Sequence, residues 1–128
     1  MILGVTGTRY EGRITKRQES KLISFLDNNN VAELHHGDCT GWDALAFILC
    51  ILRSIRTVAH PPIDERFRSF TKSDLIMPAR EYLDRNKDIV DAVDFLIAAP
   101  DGPERQRSGT WSTVRYAKKT GVKGVVFM

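Results

Sequence analysis

Ile2-Leu3-Gly4-Val5-Thr6-Gly7-Thr8-Arg9 opens the chain with a short apolar run that stops in a Gly/Thr turn and an arginine. The same order returns twice. Val31 to His36 leads into His36-Gly37-Asp38-Cys39-Thr40-Gly41-Trp42-Asp43. Phe95 to Ala99 is followed, after a polar loop, by Ser108-Gly109-Thr110-Trp111-Ser112-Thr113. Each reads as a strand, a turn rich in glycine and hydroxyls, and then a helix. Glycine lets backbone approach an anion closely. Serine and threonine add hydroxyl donors, and a helix start adds unpaired N–H groups and a positive dipole end. Several such loops on one edge of a parallel sheet form a phosphate-binding crevice.

Working outward, Ile2 to Val5 is the first predicted strand. Thr15 and Gln18 have capping-box spacing for a helix whose apolar face is Leu22, Ile23, Phe25 and Leu26. Asn28-Asn29-Asn30 closes it, because Asn tolerates a left-handed C-cap. After the strand 31–36, Thr40 is placed to cap a second helix. Ala44 to Leu52 is apolar almost all round, which predicts deep burial. Arg56 to His60 is a third strand, stopped by Pro61-Pro62. Tyr82 to Val93 is a third helix, Asp94 to Ala99 a strand, Thr110 to Thr120 a helix closed by Gly121, and Val122 to Phe127 the last strand. Residues 61–81 are irregular, and read either as a lid or oligomer contact or as a surface loop with a helical turn. Strands alternating with helices predict a single α/β domain over 1–128: a Rossmann-like, doubly wound fold of about five parallel strands with helices on both faces.

The bulk numbers agree. A chain of 128 residues with 42% hydrophobic and 27% charged residues fits one globular domain. The net charge of +3 favours anionic partners without selecting among them. Cys39 and Cys50 match no zinc or redox spacing, so both are expected as reduced thiols of a cytoplasmic protein, Cys50 in the core. No run reaches membrane-spanning length, and no membrane partner is expected.

Thr6-Gly7-Thr8-Arg9 is suited to wrap a phosphate, with Arg9 as a bidentate partner. His36 and Asp38, flanking Gly37, are candidates for ribose or base contacts, and Asp38 also for a general base. Adjacent His35 and His36 on a strand point to opposite faces, so they do not ligate one metal together. One is expected to be core-facing and the other near the site. No metal centre and no cofactor is expected. Gly41-Trp42-Asp43 opens the second helix. Trp42 either stacks on a base or packs against a neighbouring chain, and Asp43 is either a helix-start acid or a ligand contact. Arg85-Asn86 on the third helix is placed to reach the crevice. Ser108, Gly109, Thr110, Trp111 and Thr113 supply the densest group of hydroxyls, of which an ordinary N-cap explains one.

Together these stretches, with His60-Pro61-Pro62 and Tyr82-Leu83-Asp84-Arg85-Asn86, resemble the SLOG superfamily. This Rossmann-like group includes the LOG ("lysine decarboxylase-like") enzymes and molybdenum cofactor carrier proteins. The likeness spans nearly the whole chain and is strongest to small SLOG proteins of bacteria and phages. LOG enzymes hydrolyse the N-glycosidic bond of nucleoside monophosphates through a Pro-Gly-Gly-x-Gly-Thr-x-x-Glu loop and an Arg-Lys pair. Here Gly109-Thr110 matches the Gly-Thr and Arg85 the arginine. Thr113 stands at the glutamate position and Asn86 at the lysine.

The resemblance therefore implies a binder of a phosphorylated nucleoside or NAD-derived ligand that has lost the catalytic acid. It would act as a carrier, a sensor or a phage anti-defence sponge. The alternative is a LOG-like nucleotide N-glycoside hydrolase using Arg85 with Asp38 or Asp43. Related families also imply a homo-oligomer. Single-strand nucleic-acid binding, a weaker third reading, lacks a dense Lys/Arg stripe interleaved with aromatics.

Overall fold

The computed structural model describes residues 1–128. Six strands, β1 (Ile2–Gly7), β2 (Glu33–His36), β3 (Arg56–Ala59), β4 (Leu75–Ile76), β5 (Phe95–Ala99) and β6 (Lys123–Val126), form one sheet in the order β4-β3-β2-β1-β5-β6. Every pairing is parallel. The four helices are α1 (Lys16–Asn28), α2 (Trp42–Ile51), α3 (Tyr82–Ala92) and α4 (Gly109–Thr120). The chain builds outward from β1 through β2 and β3, then crosses back to β5 and β6 on the other side. That reversal puts the topological switch point at β1 and β5, with the three Gly/Thr loops gathered beside it.

Strand alternation divides the core. Leu3, Val5, Leu34, Ile97 and Ala99 face α1 and α2, where they pack with Leu22, Leu26, Trp42, Ala46 and Cys50. The opposite face is smaller: Leu96 meets Val90 and Ala117, and Ala98 meets Trp111 and Val114. Buried parallel strands with helices above and below are the arrangement expected from near-continuous apolar runs.

Four expectations change. The sheet has six strands and not five, because Leu75–Ile76 adds an edge pairing on β3. Two exposed residues carry no periodicity, so only the tertiary pairing reveals them. Asn29 ends α1 in an extended conformation (φ −130°), not a left-handed one. The N-cap of α2 is Gly41 (φ 81°), not Thr40, whose Oγ1 donates instead to the Arg9 carbonyl at 2.8 Å. A Cβ at Gly41 would run into the Thr8 carbonyl and the Arg9 backbone, so both its φ and its contacts call for glycine. Finally, α2 is not buried all round. Ile48, Ile51 and Leu52 are exposed, because the helix covers the sheet with only one face.

The Thr15–Gln18 capping box is present, and Gln18 extends beyond it. Its buried side chain takes the Thr15 N–H on Oε1, while Nε2 donates to the carbonyls of Pro100 (2.9 Å) and Phe127 (2.8 Å). It thus ties α1 to the ends of β5 and β6. Gln18→Ala should strand two buried carbonyls and an amide, and lower stability by about 2–4 kcal/mol, read from urea unfolding midpoints. A change below about 0.5 kcal/mol would mean these bonds contribute no net stability.

Candidate functional site

Backbone hydrogen bonds tie the first Gly/Thr loop to β5 and to the start of α2, and the second loop to the 61–81 segment. Thr8 N–H donates to Ala99 O, Trp42 N–H to Thr8 O and Thr40 N–H to Phe67 O. The last of these brings in the 61–81 segment as a wall of the site. A cavity of about 190 Å³ opens there, lined by Arg9, Cys39, Pro62, Asp64, Arg66, Phe67 and Tyr82.

Tyr82, the first residue of α3, is the hub. The Arg9 guanidinium carbon lies 4.5 Å from the Phe67 ring centre and 6.0 Å from that of Tyr82, while Arg85 lies 4.7 Å from Tyr82. Gly109 at the start of α4 allows the Tyr82 ring to sit against it; a Cβ there would come within 2.6 Å of Cε1. Burial raises the Tyr82 phenol above its ordinary value, with the nearby Cys39 adding to the rise. The Gly109 and Thr110 N–H groups have no partner in the chain, since Ser108 serves as N-cap and takes the Trp111 N–H. Two open amides at a helix N-terminus therefore lie beside two guanidiniums.

Arg85 is 2% exposed. Nε donates to Asn86 Oδ1 at 2.7 Å, Nη1 to the carbonyls of Gly37 and His60 (3.0 Å for the latter), and Nη2 to Cys39 Sγ at 3.8 Å. No carboxylate lies within ion-pair distance of it or of Arg9, whereas Arg13, Arg66, Arg68 and Arg105 all have such partners. Asp43 is also buried beside Gly37, and its Oδ2 accepts the N–H groups of Gly37 (3.0 Å) and Cys39 (3.3 Å). Burial pushes its carboxyl up to about 6, against the opposing pull of Arg85 and the two amides. Burial likewise pushes the Cys39 thiol up to about 11, which leaves it protonated and unreactive.

The other sequence candidates divide by what they touch. Thr6 keeps a free hydroxyl at the end of β1, and Thr110 keeps one at the start of α4. Thr8 Oγ1 donates to Asp101 Oδ2 (3.1 Å), and Thr113 Oγ1 to the Gly109 carbonyl (2.8 Å). Asp38 is fully buried, and its carboxylate accepts from Arg68 Nε (2.8 Å), Thr71 N (2.9 Å), Thr71 Oγ1 (2.8 Å) and Ser69 Oγ (3.2 Å). Burial alone would raise its pKa, but Arg68 and Thr71 hold it below the ordinary value. It anchors the 61–81 segment and, with no exposed surface, is out of reach of a ribose.

His36 is equally enclosed. Its Nδ1 accepts the Asp38 N–H, and Nε2 pairs with Ser73 Oγ at 2.9 Å. Both histidines are therefore buried and satisfied, His35 by Glu33 and His60. Trp42 neither stacks on a ligand nor faces another chain. It is fully buried in the main core, where the space over Gly7 admits its indole. Trp111 packs on Ala98 and Val114, with Nε1 donating to Gly102 O at 3.1 Å. Sequence reading missed Phe67 and Arg66 as wall residues. The alternation Arg66-Phe67-Arg68-Ser69-Phe70 was the available signal.

No family sequence model matches the chain, and no curated relative is similar to it in sequence. Solved structures are similar in fold. The molybdenum cofactor binding protein of the phototrophic bacterium Rippkaea orientalis superposes with a TM-score of 0.75 at 22% identity, over 98% of this chain and 74% of that one. DNA processing protein A of Helicobacter pylori, described by its single-stranded DNA binding mode, gives 0.71 at 21% identity, over 98% and 64%. A structural-genomics target protein gives 0.72 at 15%, over 96% and 71%. All have a Rossmann-like fold, and this chain shares it.

The buried titrating groups give a pH prediction. Burial holds His36 and His60 at about 4, below the ordinary 6.5. Their contribution to stability is complete above pH 6.5 and is lost as pH falls toward 4, at up to about 1.4 kcal/mol per pH unit for each. Asp43 has the opposite sign: its raised pKa is a penalty above pH 6 that is relieved as pH falls toward 3.8. With two groups against one, urea stability should decline steadily from pH 6.5 to pH 4.5. A flat or rising profile would contradict the neutral state of the two imidazoles.

Proposed function

We propose that the crevice binds a phosphorylated nucleoside or an NAD-derived nucleotide, and that the protein is a carrier, sensor or sequestering protein for it. One observation carries this reading: Arg9 and Arg85, both without a carboxylate partner, flank the Tyr82 ring beside the open N–H groups of α4. A guanidinium fork and a helix N-terminus are each complementary to phosphate oxygens. In this reading Arg9 and the Gly109 and Thr110 amides hold the phosphate, with the Thr6 and Thr110 hydroxyls at its edge. Gly7 and Gly37 make room for the Trp42 indole and the Arg85 guanidinium that back the crevice. Phe67 and Tyr82 replace the two tryptophans as faces for a base. Asp43 is the carboxylate left to meet a ribose, since Asp38 is fully engaged. The likeness to a molybdenum cofactor binding protein supports a small-molecule ligand of this general kind.

A second reading, N-glycosidic hydrolysis, is favoured by one specific observation. The Asp43 carboxyl, pushed up to about 6, lies under the same Gly37 loop as Arg85. A carboxyl poised near neutrality is suited to general acid–base work. The exposed stripe Ile48, Ile51 and Leu52 on α2 is the surface we assign to a homo-oligomer contact.

Incubating the pure protein with mixed nucleoside monophosphates, ADP-ribose species and cyclic nucleotides tests both readings. Mass spectrometry of the protein-bound and free fractions should show an intact ligand depleted from solution. Free base with ribose phosphate would establish the hydrolase instead, and neither outcome would remove both. Arg9→Ala should weaken ligand binding by about tenfold to a hundredfold, the equivalent of roughly 1.5–3 kcal/mol for a charge-assisted bond, while leaving thermal stability unchanged.

A further inference from the structure

A cavity larger than that of the crevice lies away from it. It is a groove of about 570 Å³ on the α3 face of the sheet, with His35, Val58, His60 and Leu75 along its floor. Asp88, Asp91 and Ala92 of α3 form one wall, and Met77, Pro78 and Arg80 the other. The groove exists because the β3–β4 connection carries no helix. α3 packs on β1 and β2, leaving the sheet open beyond them on this face.

A hydrogen-bonded relay runs along the floor. His35 Nε2 lies 2.6 Å from Glu33 Oε1, and His35 Nδ1 lies 2.7 Å from His60 Nε2. Glu33 also takes Arg56 Nε at 3.0 Å, as a carboxylate does. An ionised carboxylate only accepts, so the His35 proton sits on Nε2. At a pH where both imidazoles are neutral, His35 Nδ1 is bare and takes the Nε2–H of His60. The chain ends on a bare His60 Nδ1. His60 is only 6% exposed, lines the groove, and has no partner for Nδ1 within the protein. That atom is open to the groove and free to accept a hydrogen bond.

The remaining lining narrows the ligand. Asp88 is paired with Arg80 at 2.6 Å, Asp91 accepts the Tyr116 hydroxyl at 2.7 Å, and Glu33 is held by Arg56 and His35. Arg85 also borders the groove, but its donors are taken by Asn86 and by the Gly37 and His60 carbonyls, so no charged group is left unengaged to recognise an ion. Val58, Leu75, Met77, Pro78 and Ala92 supply apolar surface on both sides. We propose that this groove is a second ligand site, taking a neutral, flat heterocycle that donates one ring N–H to His60 Nδ1. It is independent of the phosphate-binding reading of the crevice, since it shares with it only the Arg85 side chain.

Indole and 1-methylindole are matched probes, differing in the N–H alone. In a titration followed by the methionine methyl and histidine ring resonances, indole should shift Met77 and His60 saturably. 1-Methylindole should bind at least about tenfold more weakly, because a site built around a hydrogen bond rejects the analogue that lacks it. Equal affinity for the two, or no saturable shift with either, would overturn the proposal. Ala92→Tyr fills the groove from an exposed position on α3, so folding is not at issue. It should abolish the indole shifts. Unchanged indole affinity in this variant would place the probe elsewhere and equally sink the site.

Discussion

The Arg85 guanidinium is the point through which the functional half of the molecule is held together. It is carried by α3 and donates to the carbonyl of Gly37 after β2, the carbonyl of His60 after β3, and the side chain of its neighbour Asn86. A buried cation without an adjacent carboxylate is costly unless its donors are met. Here the donors are met by backbone that would otherwise be orphaned at strand ends. The same side chain lies between the crevice at the strand termini and the groove on the sheet face. The positions of Cys39, Asp43 and Tyr82 around it follow from that placement.

A second buried charge performs the complementary task for the 61–81 segment. Asp38 holds a left-handed backbone conformation (φ 56°), which Asp tolerates better than most residues. Its carboxylate collects donors from Arg68, Ser69 and Thr71. Without those bonds the segment has little apolar surface of its own to keep it down. With them, Phe67 is set over Arg9 and the cavity acquires its outer wall. The residue that looked most like a ligand-binding acid is thus an internal tether. The chemistry at the mouth passes to aromatic faces and unpaired arginines.

The departures from LOG-type sequence take on a physical meaning in this setting. Thr113, where a catalytic glutamate would stand, turns its hydroxyl back onto the Gly109 carbonyl of its own helix. Asn86, where a lysine would stand, accepts from Arg85. Both side chains are spent on internal hydrogen bonds. The rim presents Arg9, the Phe67 and Tyr82 rings and the two unpartnered amides of α4.

The strand–turn–helix order, the parallel sheet and the gathering of the Gly/Thr loops at the strand carboxyl ends were legible in the sequence. Apolar periodicity, the Thr15–Gln18 box and the Gly121 cap are local signals that tertiary contacts did not override. The nearness of Arg9, Arg85 and Gly109 was legible too, since all three fall at or beside the strand carboxyl ends, where the structure gathers them around Tyr82. What the tertiary structure alone decided was partnership. Trp42 and Asp38 are residues whose type suits a ligand. Whether such a side chain meets a ligand or the protein depends on what lies opposite it, and that is set by segments distant in the chain: Gly7 under the indole, Arg68 to Thr71 around the carboxylate. The two-residue strand β4 and the His35–His60 pair belong to the same category, since strand pairing and ring contact between β2 and β3 leave no mark on local sequence.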